Sequence, residues 1–237
     1  MIEISLETAY WWLAIGTLIV WLIVYACGTS ATRRKQLLRG VIAIPAAIAL
    51  ENLLFFQDYW FPRSVFSATV GSWHILVEDV IFGFSMGGLI PVLVDLMPSK
   101  EKSVTFHFTK RTLQVLKIHV VTYFTAFVLI VQTEINSMIL IPIVLIGVSG
   151  MFLKSLEIEI FTLSVISGLL STLILFAIYS VGLIFISNTE DILRDWWYLY
   201  DGRLDVRIYG VPITEMFWAF SYGLYCAVVT KAIEQKK

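Results

Sequence analysis

The sequence predicts an all-α polytopic membrane protein, with seven transmembrane helices in a parallel 3+1+3 internal repeat, N-terminus outside and C-terminus inside. Three observations carry that expectation. Of the 237 residues, 58% are hydrophobic and only 15% charged, against about 25% charged in ordinary soluble domains. Seven apolar runs approach or reach spanning length. Lys and Arg collect in alternate connecting segments. Seven spans of about 20 residues, the length that crosses a ~30 Å hydrocarbon core, consume about 140 residues, so little remains for a soluble domain. This composition argues against a cytosolic enzyme, a Rossmann dehydrogenase or a nucleic-acid binder. The net charge of −1 lacks the basic excess that a phosphate backbone requires.

The runs fall at 10–27, 39–56, 72–97, 117–135, 138–153, 161–186 and 209–233. Stretches so long and so poor in charge are helix candidates, because lipid offers backbone groups no other partner. The N-terminal MIEISLETAYWW has no basic n-region and no small-residue cleavage site, so the first run is expected to persist as a span. The QTEINS junction between the fourth and fifth runs is the shortest break. With the N-terminus outside, the inner segments hold Arg33, Arg34, Lys35, Arg39, Lys100, Lys102, Lys110, Arg111, Lys117, Lys154, Lys231, Lys236 and Lys237, which is 13 of the 17 cations. Arg63, Arg194, Arg203 and Arg207 are left outside. That bias follows the positive-inside rule. Segment 98–116 is basic, as an anionic headgroup contact would have it. The outer stretch 188–208 mixes acids with Trp196, Trp197, Tyr198 and Tyr200 and is expected to lie at the interface.

Two stretches resemble each other. Asp58-Tyr-Trp-Phe61 is followed by Asp79, 21 residues after Asp58, and Asp195-Trp-Trp-Tyr198 by Glu215, 20 residues after Asp195. Aligning Asp79 with Glu215 also aligns Phe84 with Phe220, Ser85 with Ser221 and Gly87 with Gly223. The expected division is a first three-helix copy at 1–97, a linker and fourth helix at 98–137, and a second copy at 138–237. An odd helix between the copies gives both the same orientation, and repeat interfaces commonly hold the site.

Glu51, Glu78, Asp79 and Glu215 lie inside apparent spans, each expected roughly 10 Å below the outer surface at ~1.5 Å rise per residue. A carboxylate at helix centre costs about 2.5–3.5 kcal/mol, and no intramembrane cation is in view as a partner. At least one of the four is therefore expected to keep its proton. The bland alternative is interhelical hydrogen bonding with Asn52, His74 and Thr214. Trp60, Trp73, Phe82, Phe84, Trp197, Phe217, Trp218, Phe220 and Tyr222 flank the acids. Aromatic faces attract cations, so acids ringed by aromatics are equipment for making and shielding a carbocation. Each aromatic taken singly reads as lipid packing.

No metal site is expected: of three histidines only His74 is near the acids, with His107 and His119 on the inner side. Gly83–Gly88 reads as helix-packing glycine, no G-x-G-x-x-G or P-loop occurs, and no cofactor is called for. Cys27 and Cys226 sit in apolar runs with no metal or redox spacing.

These residues resemble the integral-membrane lycopene cyclase domain, the heterodimeric or fused type of carotenoid-making bacteria and archaea and of fungal bifunctional enzymes. That family carries two three-helix copies, each with a P-x-E-[ED] motif. Here the copies read Leu76-Val77-Glu78-Asp79 and Pro212-Ile213-Thr214-Glu215, and the lead-in from Trp197 to Pro212 is similar to the family's approach to its motif. Leu76 replaces one proline and Thr214 one acid, so the first copy keeps both acids and the second only Glu215. One-ended cyclisation or another terpenoid substrate fits as well. The resemblance implies a non-redox cyclase in a prokaryotic plasma membrane. Asp79 or Glu215 would be the general acid, with Glu78 and Glu51 tuning it or serving as base. Trp60, Trp73, His74, Phe82, Phe84, Trp197, Pro212, Thr214, Phe217, Trp218 and Phe220 would line the substrate site. The partners implied are a hydrophobic polyene or prenyl substrate, the lipid bilayer and, in a homo-oligomer, further copies of the chain, but no nucleic acid. A small-solute or sugar transporter also uses parallel three-helix repeats, though its path wants polar groups at mid-membrane. A rhodopsin needs a mid-depth lysine on the last helix, and the only one there, Lys231, lies at the inner end.

Overall fold

The computed structural model describes residues 5–96, 110–153, 158–185 and 188–235. Segment 97–109, which holds most of the basic linker, lies outside them. The described chain is mostly helical: α1 (Leu6–Cys27), α2 (Ser30–Asp58), α3 (Val77–Leu96), α4 (Lys110–Thr133), α5 (Ser137–Leu153), α6 (Ile158–Phe185), α7 (Thr189–Trp196) and α8 (Ile213–Gln235). Each of the seven apolar runs contributes to one of the long helices. By length and composition, four of these can cross a membrane: Leu6–Cys27, Ser30–Asp58, Val77–Leu96 and Ile158–Leu183. Their outward faces are as apolar as their inward ones. Ile19, Leu22 and Ile23 on α1, and Leu169, Leu173 and Val181 on α6, are all exposed. A helix that is hydrophobic all round needs an apolar surrounding on both faces.

Two β-hairpins amend the all-α expectation. The runs at 72–97 and 209–233 do not start as helix. β1 (Ser67–Val70) pairs antiparallel with β2 (Trp73–Leu76), and β3 (Arg207–Ile208) with β4 (Val211–Pro212). Tyr209 and Gly210 both take positive φ, 49° and 81°, the left-handed pair of a type I′ hairpin turn. In the first hairpin Gly71 takes the positive φ, 64°, at the first turn position. Hydropathy could not mark these boundaries because the strands are themselves apolar. Leu76 and Pro212, aligned in sequence, each end a hairpin and lead directly into a helix. Segment 188–208 contains α7, whose Ile192, Leu193 and Trp196 are buried while Glu190, Asp191, Arg194 and Asp195 lie on its more open face.

α3 and α8 form the buried centre. α3 packs chiefly on α2 and α1, α8 on α6 and α5, and the two meet where the Ile90–Val92 turn of α3 touches α8. Glycine sets these approaches. A Cβ on Gly40 of α2 would sit 2.7 Å from the Phe84 carbonyl oxygen, and one on Gly168 of α6 2.9 Å from that of Phe220. Gly87 faces Ala43 and the Arg39 carbonyl, as Gly223 faces Ser171 and the Ser167 carbonyl. Such close approaches are what small residues at helix crossings permit. Near the far end of α3, Asp95 binds Lys35 at 3.1 Å and Lys231 at 3.8 Å, so Lys231 is tied to an ion pair well away from the hairpins.

Candidate functional site: a buried acid and aromatic cluster

Asp79 occupies the third position of α3 and Glu215 the third of α8. Both acids therefore lie in the first turn of a helix rather than several turns in, where unpaired N–H groups favour an acid. Glu51 opens a π-helical turn, Glu51–Phe55, within α2. Such a turn inserts one residue into the helical ladder and is frequent at functional sites. All three side chains are at least nine-tenths buried, and Glu51 lies within electrostatic reach of both Asp79 and Glu215.

Their partners are hydroxyls and an indole. Tyr10 on α1 donates to Asp79 Oδ1 at 2.6 Å, and Tyr59, just after α2, to Glu215 Oε1 at 2.6 Å. Trp60 Nε1 donates to Glu51 Oε2 at 2.9 Å. Among the described residues no Lys or Arg pairs with any of the three. The aromatic wall is continuous. Ring centroids of Tyr10 and Trp60 are 5.0 Å apart, Tyr10 and Trp196 6.0 Å, Trp60 and Trp197 5.9 Å, and Tyr179 and Trp197 6.4 Å. The Tyr179 hydroxyl approaches Glu215, and the Trp197 indole approaches Tyr59, without full hydrogen-bond geometry. Asp79 Oδ2 and Trp196 Nε1, both buried, have no hydrogen-bond partner.

Two backbone segments close the wall. Trp60 and Trp197 form an antiparallel bridge in which Phe61 N–H donates to the Trp196 carbonyl and Tyr198 N–H to the Tyr59 carbonyl, each at 2.9 Å. The strap 61–66 is held by Arg63 on Asp195, bidentate at 2.7 and 2.8 Å. It is also held by Glu78, which accepts from Ser64 Oγ and, at 3.1 Å, from Val65 N–H.

The predicted site residues separate on this geometry. Glu51, Asp79, Glu215, Trp60 and Trp197 come together. Glu78 is buried but bonded to the strap, an anchoring role that its sequence neighbour Asp79 does not share. Thr214 is buried and reaches Tyr59, and Pro212 lines a shallow cleft with Thr214, Trp197, Tyr200, Asp205 and Arg207. Phe82 and Trp218 pack partly buried on the main hydrophobic core, where Trp218 stacks on Tyr222 at 5.4 Å. Phe84 and Phe220 are spent on the glycine contacts, and Phe84 also packs on Trp21 at 4.9 Å. Phe217 and Trp73 are partly exposed. His74 is on β2, not a helical turn before Glu78: its ring edges Phe61 at 5.7 Å and its backbone is held by Asn52. Tyr10, Tyr59, Tyr179 and Trp196 were absent from the sequence-based site. Tyr59 and Trp196 stood inside the two aligned aromatic blocks, which was signal enough to find them.

At the cleft, outside the spans, the Arg207 guanidinium bonds Asp205 and lies 3.0 Å from Glu190. It holds both carboxyls below their ordinary range. Among the described residues no group of three His, Cys, Asp or Glu is arranged to hold a metal. The acid cluster can do two things chemically: deliver a proton from a carboxyl that lacks a cation, and surround a developing cation with π faces. No family model matches the chain, and no curated protein or solved structure matches it.

Proposed function

We propose that the chain is a seven-span membrane protein, N-out and C-in with a 3+1+3 internal repeat, that closes rings in terpenoid substrates by acid-initiated, non-redox cyclisation. The observation that carries the reading is the cluster itself: three buried acids from α2, α3 and α8, whose side-chain hydrogen-bond partners among the described residues are tyrosines and a tryptophan, walled by indoles. Protonation of a terminal C=C gives a tertiary cation. A neighbouring C=C closes the ring onto it, and loss of a ring proton to a carboxylate ends an isomerisation that needs no redox partner. The indole and phenol faces would lower the energy of the cation as it forms.

Support for the repeat comes from paired contacts. The Gly40–Phe84 approach has its counterpart in Gly168–Phe220, the Gly87 contacts in those of Gly223, and α3 and α8 each follow a hairpin. The Trp60–Trp197 bridge joins the two aligned aromatic blocks through reciprocal hydrogen bonds, as an axis between two copies would. The orientation rests on the Lys and Arg distribution.

Expression in a lycopene-accumulating host with pigment analysis tests the activity. Wild type is expected to yield a cyclised product, and Asp79→Asn to lower it about 100-fold or more, the scale of general acid catalysis. Glu215→Gln should cut it sharply as well, with both variants present in the membrane at wild-type level. Full activity in both would sink the mechanism.

A further inference from the structure

We infer that Tyr10 is a positioning residue that fixes the acid proton of Asp79 on Oδ2 and thereby makes that oxygen the point from which the proton leaves. The inference rests on the cyclase reading for its function but not for its geometry. A neutral carboxyl carries one O–H and one carbonyl oxygen. The Tyr10 hydroxyl donates to Oδ1 at 2.6 Å, so Oδ1 is the accepting, carbonyl oxygen. The carboxyl proton then belongs on Oδ2. That oxygen is the one buried carboxyl oxygen among the described residues with no partner. The Leu76 N–H approaches the carboxyl without full hydrogen-bond geometry, so Oδ2 completes no hydrogen bond within the protein and is the oxygen left to face a substrate.

The partnerless oxygen selects Asp79 over Glu215, whose carboxyl has the Tyr59 hydroxyl at 2.6 Å and the Tyr179 hydroxyl beside it. The titratable groups around Asp79 are Tyr10 from α1, Glu51 from α2 and its own neighbour Glu78, with Glu215 and Tyr179 reached through Glu51 and Tyr10. None is a cation, and a buried carboxylate without one is costly. Glu51 follows Gly40 by eleven residues, as Tyr179 follows Gly168. Copy one thus places a carboxyl beside its helix-start acid where copy two places a phenol. A carboxyl pair can pass one proton between its members, whereas a phenol, with an ordinary pKa of about 10, holds its own. The balanced step follows. The Oδ2–H proton passes to the terminal alkene carbon, whose π pair becomes the new C–H bond, and the O–H pair stays on Asp79. The second C=C supplies the ring bond, and the ring proton lost at the end returns to the Asp79–Glu51 pair.

Difference infrared spectroscopy of the purified protein, recorded across a pH step in H2O and D2O, reads this proton directly. A protonated-carboxyl C=O band is expected that disappears in Asp79→Asn. Tyr10→Phe removes the hydrogen bond onto the carbonyl oxygen and should move that band to higher frequency, whereas Tyr59→Phe should leave it in place. In cells, Tyr10→Phe is expected to lower turnover about tenfold or more, the scale of one hydrogen bond to an ionising group, with KM unchanged. Absence of an Asp79 band, or a band indifferent to Tyr10→Phe, overturns the inference. A shifted band in a protein that cyclises nothing leaves the proton placement standing and removes the cyclase reading instead.

Discussion

At the residue scale, two acids at neighbouring positions do different work. Glu78 and Asp79 are adjacent, yet one holds the strap at Ser64 and Val65 and the other joins the acid cluster. Phe84 and Phe220 read as cation-shielding aromatics in sequence, and their rings lie instead against glycines. That use gives a direct prediction. Gly40→Ala and Gly168→Ala should each destabilise the protein by about 1–3 kcal/mol, because the added methyl meets a carbonyl oxygen and ring carbons that cannot move aside. Gly147→Ala, where a Cβ meets nothing, should be neutral or slightly stabilising. Thermal unfolding in detergent separates the three. The acids were legible as residues because a carboxyl in an apolar run is conspicuous. The tyrosines that bond them were not, since Tyr10 is 69 positions from Asp79 and Tyr59 is 156 from Glu215.

At the element scale, the helices were readable and their beginnings were not. Apolar content is continuous from β2 into α3 and from β4 into α8, so a window over hydropathy merges strand with helix. The positive φ of Tyr209 and Gly210 marks one break, and of the two only the glycine advertises it. The π turn at Glu51 was likewise invisible, because it changes hydrogen bonding and not composition. The segment from α7 to β3 offers a pH test. Arg207 depresses the pKa of Glu190 and of Asp205, so their ion pairs contribute fully above the ordinary carboxylate values of about 4. That contribution is lost as pH falls through the depressed folded values. Limited proteolysis of segment 197–206 should stay slow at neutral pH and accelerate below about pH 4, and Arg207→Gln should make it fast at neutral pH as well. A cleavage rate that ignores both changes would show that these pairs do not hold the segment.

At the scale of the whole molecule, α3 and α8 stand at the centre, and α1, α2, α5 and α6 turn apolar surfaces outward. The proposed orientation puts the hairpins outside and the α1–α2 turn inside. In a Cys27→Ser background, Thr69→Cys on β1 should react with an impermeant maleimide on intact cells, and Arg34→Cys only after lysis. The reverse pattern would invert the molecule. Sequence alone determined that this chain is mostly helical and apolar on all sides, and that the few acids in its apolar runs are its chemically distinctive residues. Those properties are sums over neighbours along the chain. Tertiary structure alone decided that Glu78 stands apart from the group of Glu51, Asp79 and Glu215, and that Tyr10 bonds Asp79 Oδ1 and leaves Oδ2 without a partner. A buried polar atom must find its partner across the fold, and no local pattern says which one it will be.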